Sequence, residues 1–201
     1  MVRMNEGFGY LQKLLYNSSS MARCINPEEN DAYSWDAKEK FYHAQRGNAE
    51  AQNDLGVFYQ SGLGVPLNLQ KAFYWISKAA DQGFAVAMYN LGQMHYEGIG
   101  CTKDDCKAFY WWYKSAVSGH KNGIQNTAVA YYNGVGTPIN IKQAEYFFLK
   151  AADNHSRDAM YYLGLIYSSN TEFYDKNKAL KWLQKAADLG DREAYKLLFR
   201  I

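Results

Sequence analysis

One pattern recurs every 36 residues along most of this chain, and a period of that length marks a stacked array of supersecondary units. Leu55-Gly56 returns as Leu91-Gly92, is replaced by Thr127-Ala128, and returns as Leu163-Gly164. Gly62-x-Gly64 recurs as Gly98-x-Gly100 and Gly134-x-Gly136. Ala72, Ala108, Ala144 and Ala179 are each followed three positions on by an aromatic residue, Trp75, Trp111, Phe147 and Trp182. Lys78, Lys114, Lys150 and Lys185 then precede Gly83, Gly119, His155 and Gly190, the last unit being one residue shorter.

Each unit reads as two helices. In the first copy the helix over about 51 to 60 places Ala51, Leu55, Phe58 and Tyr59 on one face. Gly56 lies inside it at a cost of about 1 kcal/mol against alanine, which makes sense only where a neighbouring helix approaches closely. The second helix, about 69 to 82, lines up Ala72, Trp75, Ile76, Ala79 and Ala80, large beside small, so that ridges enter grooves. Asn68, Asp104, Asn140 and Asp175 are placed to cap the second helices, and Gly83, Gly119 and Gly190 to end them. A phosphate-binding reading of Gly-x-Gly lacks the third glycine and the lysine that such loops need, so the glycines read as turns. The fourth unit replaces them with Ser168-Ser169-Asn170-Thr171-Glu172-Phe173, a loop expected to differ in shape.

The array has half units at its ends, giving a half unit at 34–50, repeats at 51–86, 87–122, 123–158 and 159–193, and a cap helix at 194–201. Residues 1–33 fall outside it, with Phe8, Leu11, Leu14 and Leu15 suggesting a short amphipathic helix and Pro27-Glu28-Glu29-Asn30-Asp31 an acidic linker. Asn5, Glu6, Gln12 and Lys13 break any apolar run at the start, so neither a secretory signal nor membrane insertion is expected, and the expected location is cytoplasmic. Cys24, Cys101 and Cys106 are odd in number and read as reduced thiols. A net charge of +2 without a run of Lys or Arg disfavours nucleic acid as the main partner.

The consensus Ala51-x3-Leu55-Gly56-x2-Tyr59-x2-Gly62-x-Gly64-Val65-x5-Lys71-Ala72-x2-Trp75-x2-Lys78-Ala79-Ala80-x2-Gly83 resembles the Sel1-like repeat, a longer relative of the tetratricopeptide repeat. His95 in place of the first-helix tyrosine, Thr127-Ala128, and the missing fourth Gly-x-Gly depart from it. The resemblance implies an all-α fold, an α-solenoid of helix-turn-helix repeats winding as a right-handed, tetratricopeptide-like superhelix. It also implies adaptor or scaffold work and, in bacteria, roles in host interaction or as immunity proteins that neutralise toxins. Some cysteine-rich relatives have been linked to β-lactam hydrolysis, which keeps a β-lactamase-like hydrolase as the alternative, although their regularly paired cysteines are absent here.

No constellation of reactive groups stands out. His43, His95, His120 and His155 lie in four different units, no Gly-x-Ser-x-Gly elbow occurs, and Cys101 with Cys106 lacks the spacing of a zinc knuckle. Neither metal nor cofactor is expected, and the chain is expected not to be an enzyme. Binding is the stronger expectation. The positions two before and two after each consensus leucine should face the concave side of a hairpin stack. They are Asn53 and Val57, Tyr89 and Gln93, Gln125 and Val129, Tyr161 and Leu165, with Lys196 in the cap helix. Gln60, Tyr96, Tyr132 and Ser168 follow one turn on. This stripe of tyrosine and amide side chains suits a protein partner, a toxin or a signalling protein, because tyrosine offers large rigid contact area at low entropic cost. Packing between adjacent first helices accounts for the same residues and stays open, as does self-association through the ends of the array. Of the 18 tyrosines, Tyr59, Tyr131 and Tyr167 hold a periodic packing position and are expected in the core. Tyr110 and Tyr113, beside Trp111 and Trp112, form either a second adhesive patch or a repeat-to-repeat seam.

Overall fold

In a computed structural model, residues 32–169 and 172–201 are described, and their regular structure is ten α-helices. These are α1 (Trp35–Gln45), α2 (Ala49–Ser61), α3 (Leu69–Asp81), α4 (Ala85–Glu97), α5 (Asp105–Val117), α6 (Lys121–Asn133), α7 (Ile141–Asp153), α8 (Arg157–Ser169), α9 (Lys176–Asp188) and α10 (Arg192–Leu198). The fold is therefore all-α and of the helix-turn-helix repeat class. The chain forms two compact units, divided between Lys103 and Asp104. The amphipathic stretch around Phe8 to Leu15 and the acidic linker lie outside the described residues.

The second helices begin where the capping residues predict. Asn68, Asp104, Asn140 and Asp175 accept from the backbone N–H three residues on, at 2.9, 2.9, 3.0 and 3.0 Å. Each such cap contributes about 1 kcal/mol. The N–H groups of Asn68, Asn140 and Asp175 also close their hairpins, donating to the carbonyls of Tyr59, Tyr131 and Tyr167 at 2.8, 2.9 and 3.0 Å. The fourth hairpin thus keeps this closure although its loop has lost both glycines.

The second glycine of the Gly-x-Gly turn docks on the preceding second helix. At Gly136 (φ +66°) an added Cβ would lie 1.9 Å from the Asp105 carbonyl oxygen, and at Gly100 (φ +68°) 2.1 Å from that of Leu69. The left-handed backbone and the contact with a first-turn peptide both exclude a side chain, so these loops are packing turns.

Close approach also explains the glycine inside the first helices. A Cβ on Gly56 would lie 2.4 Å from Ile76 Cγ1, and one on Gly164 2.5 Å from the Leu183 side chain. The third repeat reaches the same end with other residues. Its Thr127 is fully buried, and the hydroxyl donates to the Gly123 carbonyl at 2.7 Å, so burying it leaves no unsatisfied donor. Ser115 and Gly123 stand where the first pair of hairpins has Ala79 and Ala87, and a Cβ on Gly123 would lie 2.6 Å from Ser115 Oγ. The larger residue on α5 is thus matched by a smaller one on α6. Where Gly83, Gly119 and Gly190 follow their helices at φ +87°, +82° and +85°, the third repeat has His155 at φ +62°. Among the described residues it is the one non-glycine in that region, a conformation that L-residues adopt under strain.

One element of the core was not visible in the repeat register. Tyr33, numbered with the segment outside the array, is buried, packs edge-on to Phe41 and Tyr59 at 6.2 Å, and its hydroxyl hydrogen-bonds that of Tyr59.

Candidate protein-binding surface

The periodic first-helix tyrosines support the fold. Tyr59 and Tyr167 are buried, Tyr131 is half-buried between Phe109 (5.0 Å) and Phe147 (6.0 Å), and the Tyr167 hydroxyl donates to Glu145. Burial, reinforced by the bonded Glu145 carboxylate, pushes the Tyr167 phenol well above its ordinary pKa. His95 takes the corresponding place in the second repeat, 7% exposed and edge-on to Phe73 at 5.4 Å, with Cys101 Sγ 3.6 Å from its Nδ1.

The unit up to Lys103 holds six residues of the expected stripe. Val57 and Tyr96 are exposed, and Gln60, Tyr89 and Gln93 are half-buried. Tyr89 has its phenol pKa raised by burial and, secondarily, by Glu97, the residue to which Gln93 Nε2 donates at 3.3 Å. Lys103 Nζ stands 5.0 Å from the Tyr96 ring centre. Asn53 departs from the expectation: it is 6% exposed, and its Oδ1 accepts from Asn90 Nδ2 at 2.9 Å. That amide pair joins α2 to α4, because a buried amide must find a partner and the neighbouring first helix supplies one.

In the unit from Asp104, Tyr132 packs edge-on to Tyr162 at 5.2 Å and to Phe148 at 6.2 Å, and Tyr161 lies 5.9 Å from Tyr162. Tyr162 in turn stacks on Phe148 at 4.8 Å, so one core ring carries a partly exposed group of three tyrosines. Tyr161 has its phenol pKa raised by burial and then by Asp191 and Glu193. Gln125 is tied across the seam from α6 to the start of α8, accepting from Ser156 Oγ at 2.5 Å and donating to Asp158 at 3.4 Å. Val129 and Leu165 are half-buried, and exposed Lys196 pairs with Glu193 at 2.7 Å. The structure thus uses Asn53 and Gln125 at seams between first helices, and leaves Tyr96 exposed and Tyr89, Tyr132 and Tyr161 half-buried. Sequence reading missed Tyr162. Its place in the second and third repeats is held by Asn90 and Asn126, so the repeat register carries no signal for it.

The remaining candidates occupy structural positions. His120 caps α6, its Nδ1 accepting from the Gly123 N–H at 3.3 Å, and burial holds its pKa below the ordinary histidine value. His43 packs edge-on to Tyr42 at 5.3 Å. Among the described residues no group of three or more His, Cys, Asp or Glu is arranged to hold a metal ion, and no helix is long and apolar enough to cross a membrane.

A profile of the Sel1 repeat matches residues 49–84, 85–120, 124–156 and 157–191. Among solved structures, a Sel1 repeat protein from Oxalobacter formigenes is 32% identical over 82% of this chain and 48% of its own, with a TM-score of 0.73. The protective antigen c5321 of uropathogenic Escherichia coli, described as displaying an SLR fold, is 26% identical over 81% of this chain and 43% of its own, with a TM-score of 0.60. Helicobacter pylori cysteine rich protein B is 27% identical over 62% of this chain and 92% of its own, with a TM-score of 0.50. The chain accordingly spans less than half the length of the first two relatives. No curated protein sequence matches it.

Proposed function

The chain belongs to the Sel1 repeat family, and on that premise we propose that it is a non-catalytic, cytoplasmic module that receives a protein partner on the first-helix faces of its repeats. The family's general role in protein–protein interaction supports the class of activity. The observation that carries the location is the group Tyr132, Tyr161 and Tyr162, half-buried and raised on the core ring of Phe148. Aromatic side chains held by packing and open on one side lose little freedom when a partner arrives, the property of residues that dominate binding energy. The packing of His95 and the capping role of His120 favour binding over hydrolysis.

Two finer roles fit this surface, an adaptor that holds a signalling protein and an immunity protein that occludes a toxin. Photo-crosslinking from positions 132 and 161, with exposed position 139 in the loop before α7 as the control, tests the surface itself. Adducts with one host protein at 132 and 161 and none at 139 are expected, and the reverse pattern overturns the assignment. Expressing the captured partner alone and with this chain separates the roles, since relief of toxicity marks an immunity protein and unchanged growth an adaptor.

A further inference from the structure

The second helices of the unit from Asp104 present a face of different chemistry. Tyr110 and Tyr146, 36 residues apart, are each 50% exposed, and each is followed four residues on by a lysine lying over its ring. Lys114 Nζ is 5.0 Å from the Tyr110 ring centre and 5.2 Å from that of Trp111, and Lys150 Nζ is 4.6 Å from Tyr146. On α9 the ladder continues with Lys185, 4.3 Å from the Trp182 ring centre, and with exposed Lys181 at the tyrosine position.

The three helices carry eight exposed lysines and four acids, Asp105, Glu145, Asp153 and Asp188. Glu145 is occupied by the Tyr167 hydroxyl and Asp188 by Gln184, while the cap residues Asp104 and Asp175 hold Lys107 and Lys178. Lys114, Lys142, Lys150, Lys181 and Lys185 form no ion pair with any described residue. Their charge is left for something outside the unit, and the rings beneath Lys114, Lys150 and Lys185 have already restricted those ammonium groups, so a carboxylate that meets them orders little.

We infer that this face of α5, α7 and α9 docks an acidic segment of a partner protein, its carboxylates on Lys114, Lys150 and Lys185 and its intervening side chains against Tyr110 and Tyr146. Phosphate polymers fit less well. None of the three helices carries arginine, the residue that grips phosphate bidentately, and the net charge of +2 supplies no wider attraction for a polyanion. The face is separate from the first-helix stripe, so the inference does not depend on the tyrosine group there.

The test is fluorescence anisotropy of the full chain with a labelled peptide of alternating Glu and Ser, beside a Gln-Ser peptide of equal length, single-stranded DNA and phosphatidylserine vesicles. Binding of the acidic peptide that weakens between about 50 and about 300 mM salt is expected. Replacing Lys114, Lys150 and Lys185 together by Gln should lower that affinity about tenfold, and replacement by Arg should retain it. Circular dichroism confirms that both variants are folded, and Lys181→Gln, which touches no ring, should weaken binding without affecting helix packing. No binding of the acidic peptide, equal binding of the Gln-Ser peptide, or tighter binding of DNA or vesicles would overturn the inference.

Discussion

Two series of tyrosines recur at the repeat spacing and meet opposite fates. Tyr59, Tyr131 and Tyr167 sit on first helices and are buried or half-buried, whereas Tyr74, Tyr110 and Tyr146 sit on second helices and are each 50% exposed. Periodicity alone therefore does not distinguish a core residue from a surface one. It says only that equivalent helices put equivalent residues in equivalent surroundings. Lysines lie near rings of both series, so what separates them is the rest of the surroundings: rings from other elements and, for Tyr59 and Tyr167, a hydroxyl partner on the first helices, and the ring of the next residue on the second. The proposed function is assigned instead to tyrosines at register positions that hold tyrosine in only some of the repeats, Tyr89 and Tyr161, Tyr96 and Tyr132, and Tyr162.

The comparison breaks most readily at its extremes. Tyr167→Ala removes a buried ring and leaves the Glu145 carboxylate without its donor, and should destabilise by about 3–5 kcal/mol in urea unfolding. Tyr146→Ala should stay within about 1 kcal/mol, and a loss matching that of Tyr167 would erase the distinction between the series. Tyr167→Phe isolates the hydroxyl and should lose about 1–3 kcal/mol, while Tyr110→Phe, with no buried acceptor at stake, should be close to neutral.

Two histidines sharpen the comparison at smaller scale by testing what a repeat position tolerates. His120 caps α6 through an unprotonated Nδ1, and its folded pKa lies below the unfolded value. The stability it contributes is thus present above the ordinary histidine pKa near 6.5 and is lost as pH falls through that value toward the folded one. His120→Asn keeps a cap that does not titrate and should flatten the fall in thermal midpoint between about pH 7.5 and 5. His155→Gly relieves a left-handed backbone, and because glycine also loses more freedom on folding the net gain should be below about 1 kcal/mol.

Most of the fold was legible because repetition lets one unit interpret the next. Asn68 alone is a weak helix-start signal, and four capping residues at one register are a strong one. The Gly-x-Gly turns and the glycine of Leu55-Gly56 were readable for the same reason, their close contacts with Leu69, Asp105 and Ile76 being what the spacing demanded. The candidate site was less legible. A stripe drawn from helix geometry could not tell that Asn53 turns into the seam to meet Asn90, because that depends on the partner side chain across two helices. Nor could it find Tyr162, which has no periodic counterpart and is defined by stacking on Phe148. Tyr33 was hidden because it precedes the first unit and has no copy to compare with.

The central claim is that Tyr89, Tyr96, Tyr132, Tyr161 and Tyr162 serve a partner while Tyr59, Tyr131 and Tyr167 hold the fold. The most direct measurement is affinity capture from the native host by the wild-type chain and by the double variant Tyr89→Ala with Tyr161→Ala, with thermal midpoints recorded in parallel. The expected result is loss of the captured protein while the midpoint stays within a few degrees, about 4 °C, of wild type. Undiminished capture by a folded double variant would contradict the claim.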